Sequence, residues 1–402
     1  MRDVSLNIKK LALFNFFTEV KFYSPIIVIV FNAFLGNYTT SMSILSVMSL
    51  TVIIMEFPTG ILGDLAGKKT AAILGAMCNL IGISLWALFP VYWSFLTGAF
   101  FLGTATAFFS GNNEALLYDS LKEKNLQEEF HAYLGKTNYT MQFALVFTAV
   151  LSAILAKYSM RLVLILSVFP QIISVIIAFT FVDTGYKAQV KNPFKHVAAA
   201  FKKIADNPKL IGLIFAKSLQ EGLSSSSYQI QAAYFNSLCP LWFIGILRGL
   251  SNVLGALSFY FSDKIFKRFS KRVCLIASNL YGRLSSLLAL IINAFASPFL
   301  FISSSAFFGV SSVANSSLMQ TEFSDEERST MGSITSFIGS IVVAVFSVLV
   351  GYLADRLSVR HSLFVIQITM FLPLFIYWRT LWKKPKQAEQ DLNKELPDQA
   401  RQ

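Results

Sequence analysis

Read for its apolar and polar positions, the chain is a succession of long apolar runs separated by short polar breaks. The runs fall at 9–32, 40–63, 70–90, 93–115, 137–157, 161–182, 209–235, 241–261, 272–293, 297–320, 329–354 and 361–382. Each is long enough to cross a hydrocarbon core as an α-helix, which needs about 20 residues. Lipid offers the backbone no hydrogen-bond partners, so a single apolar run must satisfy its own N–H and C=O groups by coiling into a helix. The pattern predicts an all-α membrane protein with twelve transmembrane helices. The first run is too long for a signal-peptide core and no small-residue cleavage site follows it, so a retained first helix is expected.

The polar breaks repeat. Residues 56–70 read E-F-P-T-G-I-L-G-D-L-A-G-K-K-T, in which Asp64 and the Lys68/Lys69 pair refuse the hydrocarbon while Gly60, Gly63 and Gly67 let backbones approach. Residues 258–272 again place an aspartate, Asp263, and a basic cluster between two apolar runs, 199 residues after Asp64. A second pair of breaks, 155–162 and 351–361, puts Lys157 and Asp355 198 residues apart. This period of half the chain is expected of two pseudo-symmetric six-helix bundles, each made of inverted three-helix repeats.

The division that follows is an N-terminal bundle at 1–182, a linker at 183–208, a C-terminal bundle at 209–382 and a tail at 383–402. In the linker, Phe194, Val197, Ala198, Phe201, Ile204 and Ala205 fall at helical spacing with Lys195, Lys202 and Lys203 elsewhere on the wheel, which predicts a basic amphipathic helix lying on the inner leaflet. The tail has too few apolar residues to pack and is expected to be disordered. Residues 112–135 form a charged amphipathic stretch, expected as a helix at the membrane surface.

Composition agrees: 54% hydrophobic and 14% charged residues, with 39 Phe, exclude an ordinary soluble chain. A net charge of +12 would suggest nucleic acid in a soluble protein, but here its distribution speaks for a membrane instead. With alternate breaks assigned to the cytoplasm from the amino terminus, Lys68, Lys69, Lys187, Lys191, Lys202, Lys203, Lys264, Lys267, Arg268, Lys271, Arg272, Lys383 and Lys384 share that side. Lys157, Arg161, Arg356 and Arg360 lie opposite. The bias predicts both termini in the cytoplasm. Cys78, Cys239 and Cys274 are odd in number and dispersed in apolar segments, so packing thiols are expected rather than a disulfide or metal framework.

Ionisable residues away from helix ends carry the functional information, because burying each costs several kcal/mol unless it is paired or wet. They are Glu19 and Lys21 in the first run, Lys217 and Glu221 in the seventh, Arg248 in the eighth and Arg283 in the ninth. Glu19 and Glu221 are 202 residues apart, close to the repeat offset. Along the seventh run Lys217, Gln220, Glu221, Ser224, Ser227, Tyr228 and Gln231 keep to one helical face. Asn15, Thr18, Glu19 and Phe22 make a shorter face on the first. Such stripes either glue helices together through static polar contacts or line a central cavity between the halves. Four intramembrane cations against two carboxylates lean that cavity positive, which favours an anionic or zwitterionic solute. Glu19, Glu114 and Glu221 are the carboxylates available to carry protons. No H-E-x-x-H, G-x-S-x-G or phosphate loop occurs, and His131, His196 and His361 sit in loops or at helix edges. The chain is therefore not read as an enzyme, and no metal, cofactor or nucleic-acid partner is expected.

The loop Gly60-x-Leu62-x-Asp64-x-x-Gly67-Lys68-Lys69 resembles the signature loop between the second and third transmembrane helices of the major facilitator superfamily. Leu65 stands where that family usually has an arginine. The E-x-P-T-G that leads into the loop and the E-A-L-L-Y-D-S-L within 112–135 resemble segments of a bacterial branch of the superfamily. The resemblance covers about residues 9–382 and implies that family's fold and secondary transport of a small solute by alternating access, coupled to protons. A monomer in the bacterial inner membrane is expected. Gly60, Asp64, Gly67, Lys68, Lys69 and, in the second half, Asp263 would form a cytoplasmic gate. Glu19, Lys21, Lys217, Gln220, Glu221, Ser224, Tyr228, Gln231, Arg248 and Arg283 would line the solute and proton pathway. Two departures weigh against exchange of drugs for protons: Ala99 stands where drug antiporters carry an arginine in the fourth helix, and the fifth helix lacks their G-P-x-x-G. Efflux of amphiphilic compounds is the alternative within the class. A non-transporting sensor or scaffold is the alternative outside it.

Overall fold

The computed structural model describes residues 5–182, 207–320 and 328–382. The expected linker helix and tail lie outside the described residues. Among the described residues every regular element is a helix: α1 (Ser5–Glu19), α2 (Ile27–Leu35), α3 (Tyr38–Ala66), α4 (Lys68–Leu88), α5 (Tyr92–Phe109), α6 (Asn112–Lys122), α7 (Phe130–Tyr158) and α8 (Met160–Phe179) in the first half. The second half holds α9 (Pro208–Asn236), α10 (Leu241–Phe266), α11 (Lys271–Ile292), α12 (Ser297–Ser303), α13 (Phe308–Gln320), α14 (Arg328–Arg356), α15 (Val359–Thr369) and α16 (Phe371–Trp382).

Among these residues eleven helical stretches are long and apolar enough to cross a membrane, α1–α2, α5–α6, α12–α13 and α15–α16 each acting as one broken span. The twelfth rod is α9, 29 residues long, which falls outside that apolar class. Its seven-residue polar face is the physical reason. Short caps separate the rods. Asn37 accepts from the Thr40 N–H at 2.8 Å to open α3, and Asn207 accepts from the Lys209 and Leu210 N–H groups beside Pro208 to open α9.

The first span is not the continuous helix that 9–32 predicts. Pro25 has no N–H to return to Lys21, and its ring collides with the carbonyl four residues back. The helix therefore stops at Glu19, and a 3-10 turn at Ser24–Ile26 leads into α2. A broken helix inside a membrane must have its freed carbonyls satisfied by protein. The fully buried Gln171 of α8 does this, its amide nitrogen donating to the carbonyls of Phe17 at 3.1 Å and Val20 at 3.2 Å. Asn79 of α4 donates to the Gln171 oxygen at 2.8 Å and so fixes which way the amide points.

The stretch 112–135 is helical at both ends, in α6 and the start of α7, but does not lie free on a surface. After the left-handed turn at Gly111, α6 buries Leu116, Leu117 and Leu121 in a cluster with Leu11, Phe14 and Phe181. Asn113 donates to Asn15 of α1 at 3.1 Å. At the end of α6 and just beyond, the charged residues Lys122, Glu123 and Lys124 stay exposed.

The two halves meet along α3 with α14 and α7 with α10. On the α3–α14 seam the Ser46 hydroxyl donates to the Ala344 carbonyl at 2.6 Å, and Asp355 receives the first N–H groups of α3. At Gly351 a Cβ would stand 2.5 Å from the Tyr38 carbonyl oxygen, so only glycine permits this approach. The halves are thus closed at the end that carries Asn37 and Asp355.

Candidate functional site

At the opposite end of α3 the signature loop is compact. Asp64 and Lys68, one helical turn apart, pair at 2.7 Å across the join of α3 and α4. The join needs Gly67, whose φ of +92° is one that L side chains rarely adopt. Gly60, by contrast, faces open space, and a side chain there would meet nothing. The Lys68 carbonyl accepts from Asn112, tying the loop to the start of α6. The Asp64 carboxylate bonds to no described residue of the second half, and Asp263 is exposed with no described partner for its side chain.

The candidate site lies elsewhere, in a cavity of about 410 Å³ among the helices of the second half. From α9 the 3.6-residue period brings Gln220, Glu221, Ser224, Ser227, Tyr228 and Gln231 to its wall. Facing them, α11 presents Ser278, Gly282 and Ser286 four residues apart, and Asn279 and Arg283 likewise. The bend where α12 passes into α13 adds Ser304, Ser305, Phe307 and Phe308, and α15 adds Gln367 and Met370. Spans broken at this depth turn side chains inward that a straight helix would distribute around its circumference.

Arg283 is the cation of this cavity. It donates to the Gln367 oxygen at 3.2 Å, and the Gln367 amide nitrogen donates to Ser227 at 3.2 Å. The buried glutamine thereby holds the guanidinium toward the α9 wall, with its remaining N–H groups uncommitted to described residues. Glu221 pairs with Lys217 one turn earlier at 3.6 Å, and about half of the Glu221 side chain is exposed.

Of the other predicted residues, Arg248 stands behind the wall rather than in it. Buried on α10, it donates to Gln231 at 3.0 Å and to the Tyr228 carbonyl at 2.7 Å, and its guanidinium lies 3.5 Å from the centre of the Tyr228 ring. It braces two cavity residues from outside. Neither Arg248 nor Arg283 has a carboxylate within ion-pair distance among the described residues. Glu19 and Lys21 flank the break of the first span and do not line this cavity, and Glu114 is exposed on α6. Sequence reasoning missed Ser225, Ser251, Ser278, Asn279, Ser286, Ser304, Ser305, Ser311 and Gln367. The four-residue spacing of polar positions on α11 was the available signal.

A bundle of membrane-length helices in two halves, sealed at one end and enclosing a polar cavity, defines a polytopic membrane carrier. The family model of the Major Facilitator Superfamily matches residues 11–346, and the chain belongs to that superfamily. It is a secondary transporter of small solutes, not an enzyme. No curated protein sequence matches the chain. Among solved structures it is similar to the nucleoside transporter NupG in a mutant form, with a TM-score of 0.80 at 12% identity over 94% of this chain and 99% of that one. A bacterial homologue of the human lysosomal transporter Spinster, in an inward-facing and unoccupied conformation, gives a TM-score of 0.77 at 12% identity over 94% and 97%. The E. coli fucose:proton symporter FucP gives 0.59 at 16% identity over 94% and 99%. At these identities the likeness is one of fold.

Proposed function

We propose that this chain moves a small anionic or zwitterionic solute across the bacterial inner membrane by alternating access, coupled to protons through Glu221. The observation that carries the reading is Arg283: a guanidinium held in a solute-sized cavity with no carboxylate beside it. Leaving a half-buried cation inside a membrane bundle without a counter-charge is costly, and a bound anion offsets that cost. Glu221 sits on the same wall in a weak pair with Lys217, where a proton or a solute ammonium group competes with the lysine. The closed seam between Tyr38 and Asp355 lies on the face opposite the lysine-rich loops. With the positive-inside bias, the seam supports the reading that this end faces outward and is the closed one.

The test is solute-induced proton movement into proteoliposomes loaded with a pH-sensitive dye, run separately with sugar acids, amino acids, dipeptides and nucleosides. One class should acidify the lumen with the native chain and not with Arg283→Gln. Absence of proton movement with every class, while labelled solute still exchanges, would remove protons from the mechanism. Absence of exchange as well would leave a sensor or scaffold.

A further inference from the structure

The chemistry of the cavity lining says more than its charge. Small-molecule sites are lined mainly by apolar side chains with a few placed polar groups. This cavity inverts that balance, since nine of its lining residues are serines and five more are Gln220, Gln231, Asn279, Gln367 and Tyr228. Some of those hydroxyls serve the fold. Ser251 and Ser305 bond to each other at 2.7 Å, Ser304 returns to the Phe301 carbonyl, and Ser311 accepts from Asn279. Ser224, Ser225, Ser278 and Ser286 make no hydrogen bond to any described residue, and none of their oxygens is sealed from the cavity. They are donors and acceptors left for an occupant. The apolar part of the lining is mainly aromatic, Phe301, Phe307 and Phe308 beside Ile302 and Met370, and suits the C–H face of a ring or carbon chain.

Arg283 adds a fixed cation to this lining, and Arg248 adds a second one behind Gln231 and Tyr228 of the α9 wall. Among the described residues Arg248 donates only to Gln231 and Tyr228, so it contributes field rather than ligand contact. One fork therefore faces the cavity, backed by extra positive potential. An amphiphilic drug would leave the serines unpaired, which is unfavourable for both partners.

We propose that the cavity takes a polyhydroxylated organic anion, its carboxylate or phosphate oxygens on Arg283 and its hydroxyls on Ser224, Ser225, Ser278 and Ser286. The inference rests on the transport reading above for its purpose, but not for its test. The guanidinium holds either oxyanion by paired N–H···O contacts.

Thermal stability of the purified full-length protein is measured with D-gluconate, D-glucose 6-phosphate and, as an uncharged six-carbon polyol, D-sorbitol. At least one of the two anions should raise the melting temperature and D-sorbitol should not; which anion does so separates carboxylate from phosphate. Arg283→Gln should weaken that binding by about tenfold or more, as expected for losing a charge-assisted pair. The double variant Ser278→Ala, Ser286→Ala keeps the guanidinium and should also weaken it, which covers the case in which Arg283→Gln does not fold. An equal shift with D-sorbitol, no shift with any of the three, or a shift undiminished in both variants overturns the inference. Counterflow of the bound anion in proteoliposomes separates the two levels. Binding without exchange sinks the transport reading and leaves this one standing, whereas exchange of D-sorbitol but not of the anions does the reverse.

Discussion

The carboxylate of Asp355 accepts the backbone N–H of Thr39 at 2.7 Å, from the last turn of α14 to the first turn of α3. Its second oxygen takes the Tyr38 N–H at 2.7 Å. One side chain thus fills two of the unpaired donors at a helix N-terminus, where the helix dipole also favours an anion. The residues are 316 positions apart, so the contact exists only when the two halves are together at this end. It has the geometry of a releasable latch.

Asp355→Ala should weaken that closure. Removing an N-cap costs about 0.5–2 kcal/mol, which changes the ratio of closed to open forms by up to about thirtyfold. Spin labels at Val91 and Leu357, both exposed on this face, should report a broader and longer distance distribution in the variant. Gly351→Val should act in the same direction, because its Cβ would lie 2.5 Å from the Tyr38 carbonyl. Unchanged distances with a lowered melting temperature would make Asp355 a local helix cap and nothing more.

Gln171→Leu tests the break in the first span. The substitution keeps the volume close but leaves the Phe17 and Val20 carbonyls, and the Asn79 amide, without their partner. Each buried polar group left unpaired costs about 1–3 kcal/mol, so the melting temperature should fall by several degrees. A variant as stable as the parent would show that another group can satisfy the broken helix.

For Asp64→Asn the expectation is the opposite balance. The Asp64–Lys68 pair is partly exposed and local, and such pairs contribute only about 0–1 kcal/mol. Stability should hardly change, while solute counterflow should drop strongly if the loop must engage the other half during the cycle. Full counterflow in the variant would remove the gating role proposed for Asp64, Lys68 and Lys69.

Glu221→Gln separates coupling from scaffolding. Because about half of the Glu221 side chain is exposed, losing its pair with Lys217 should cost little stability. The neutral amide imitates the protonated acid, so exchange of solute across the membrane should persist while accumulation driven by a pH gradient disappears. Gradient-driven accumulation that survives the substitution would place proton coupling at another residue.

What the sequence could determine by itself was whatever depends on near neighbours along the chain. Twelve apolar runs, their hinges and the half-chain repeat follow from local hydropathy and spacing, since lipid forces each run into its own helix. The polar face of α9 was legible for the same reason: a 3.6-residue period puts Gln220, Ser224 and Gln231 on one side whatever surrounds them. Pro25 was visible too, but not its effect, because a proline in a membrane helix breaks it only if something like Gln171 receives the freed carbonyls. Only the tertiary structure decided which stripes face each other. It set α11 and the α12–α13 bend opposite α9, put Arg283 in the cavity and Arg248 behind it, and moved Glu19 and Lys21 away from the wall. Those outcomes turn on helix rotation and crossing, which in a bilayer are set by close packing and interhelical hydrogen bonds rather than by hydropathy. A pairing such as Asp355 with Thr39 lies beyond any local pattern, because nothing near either residue in the chain names its partner.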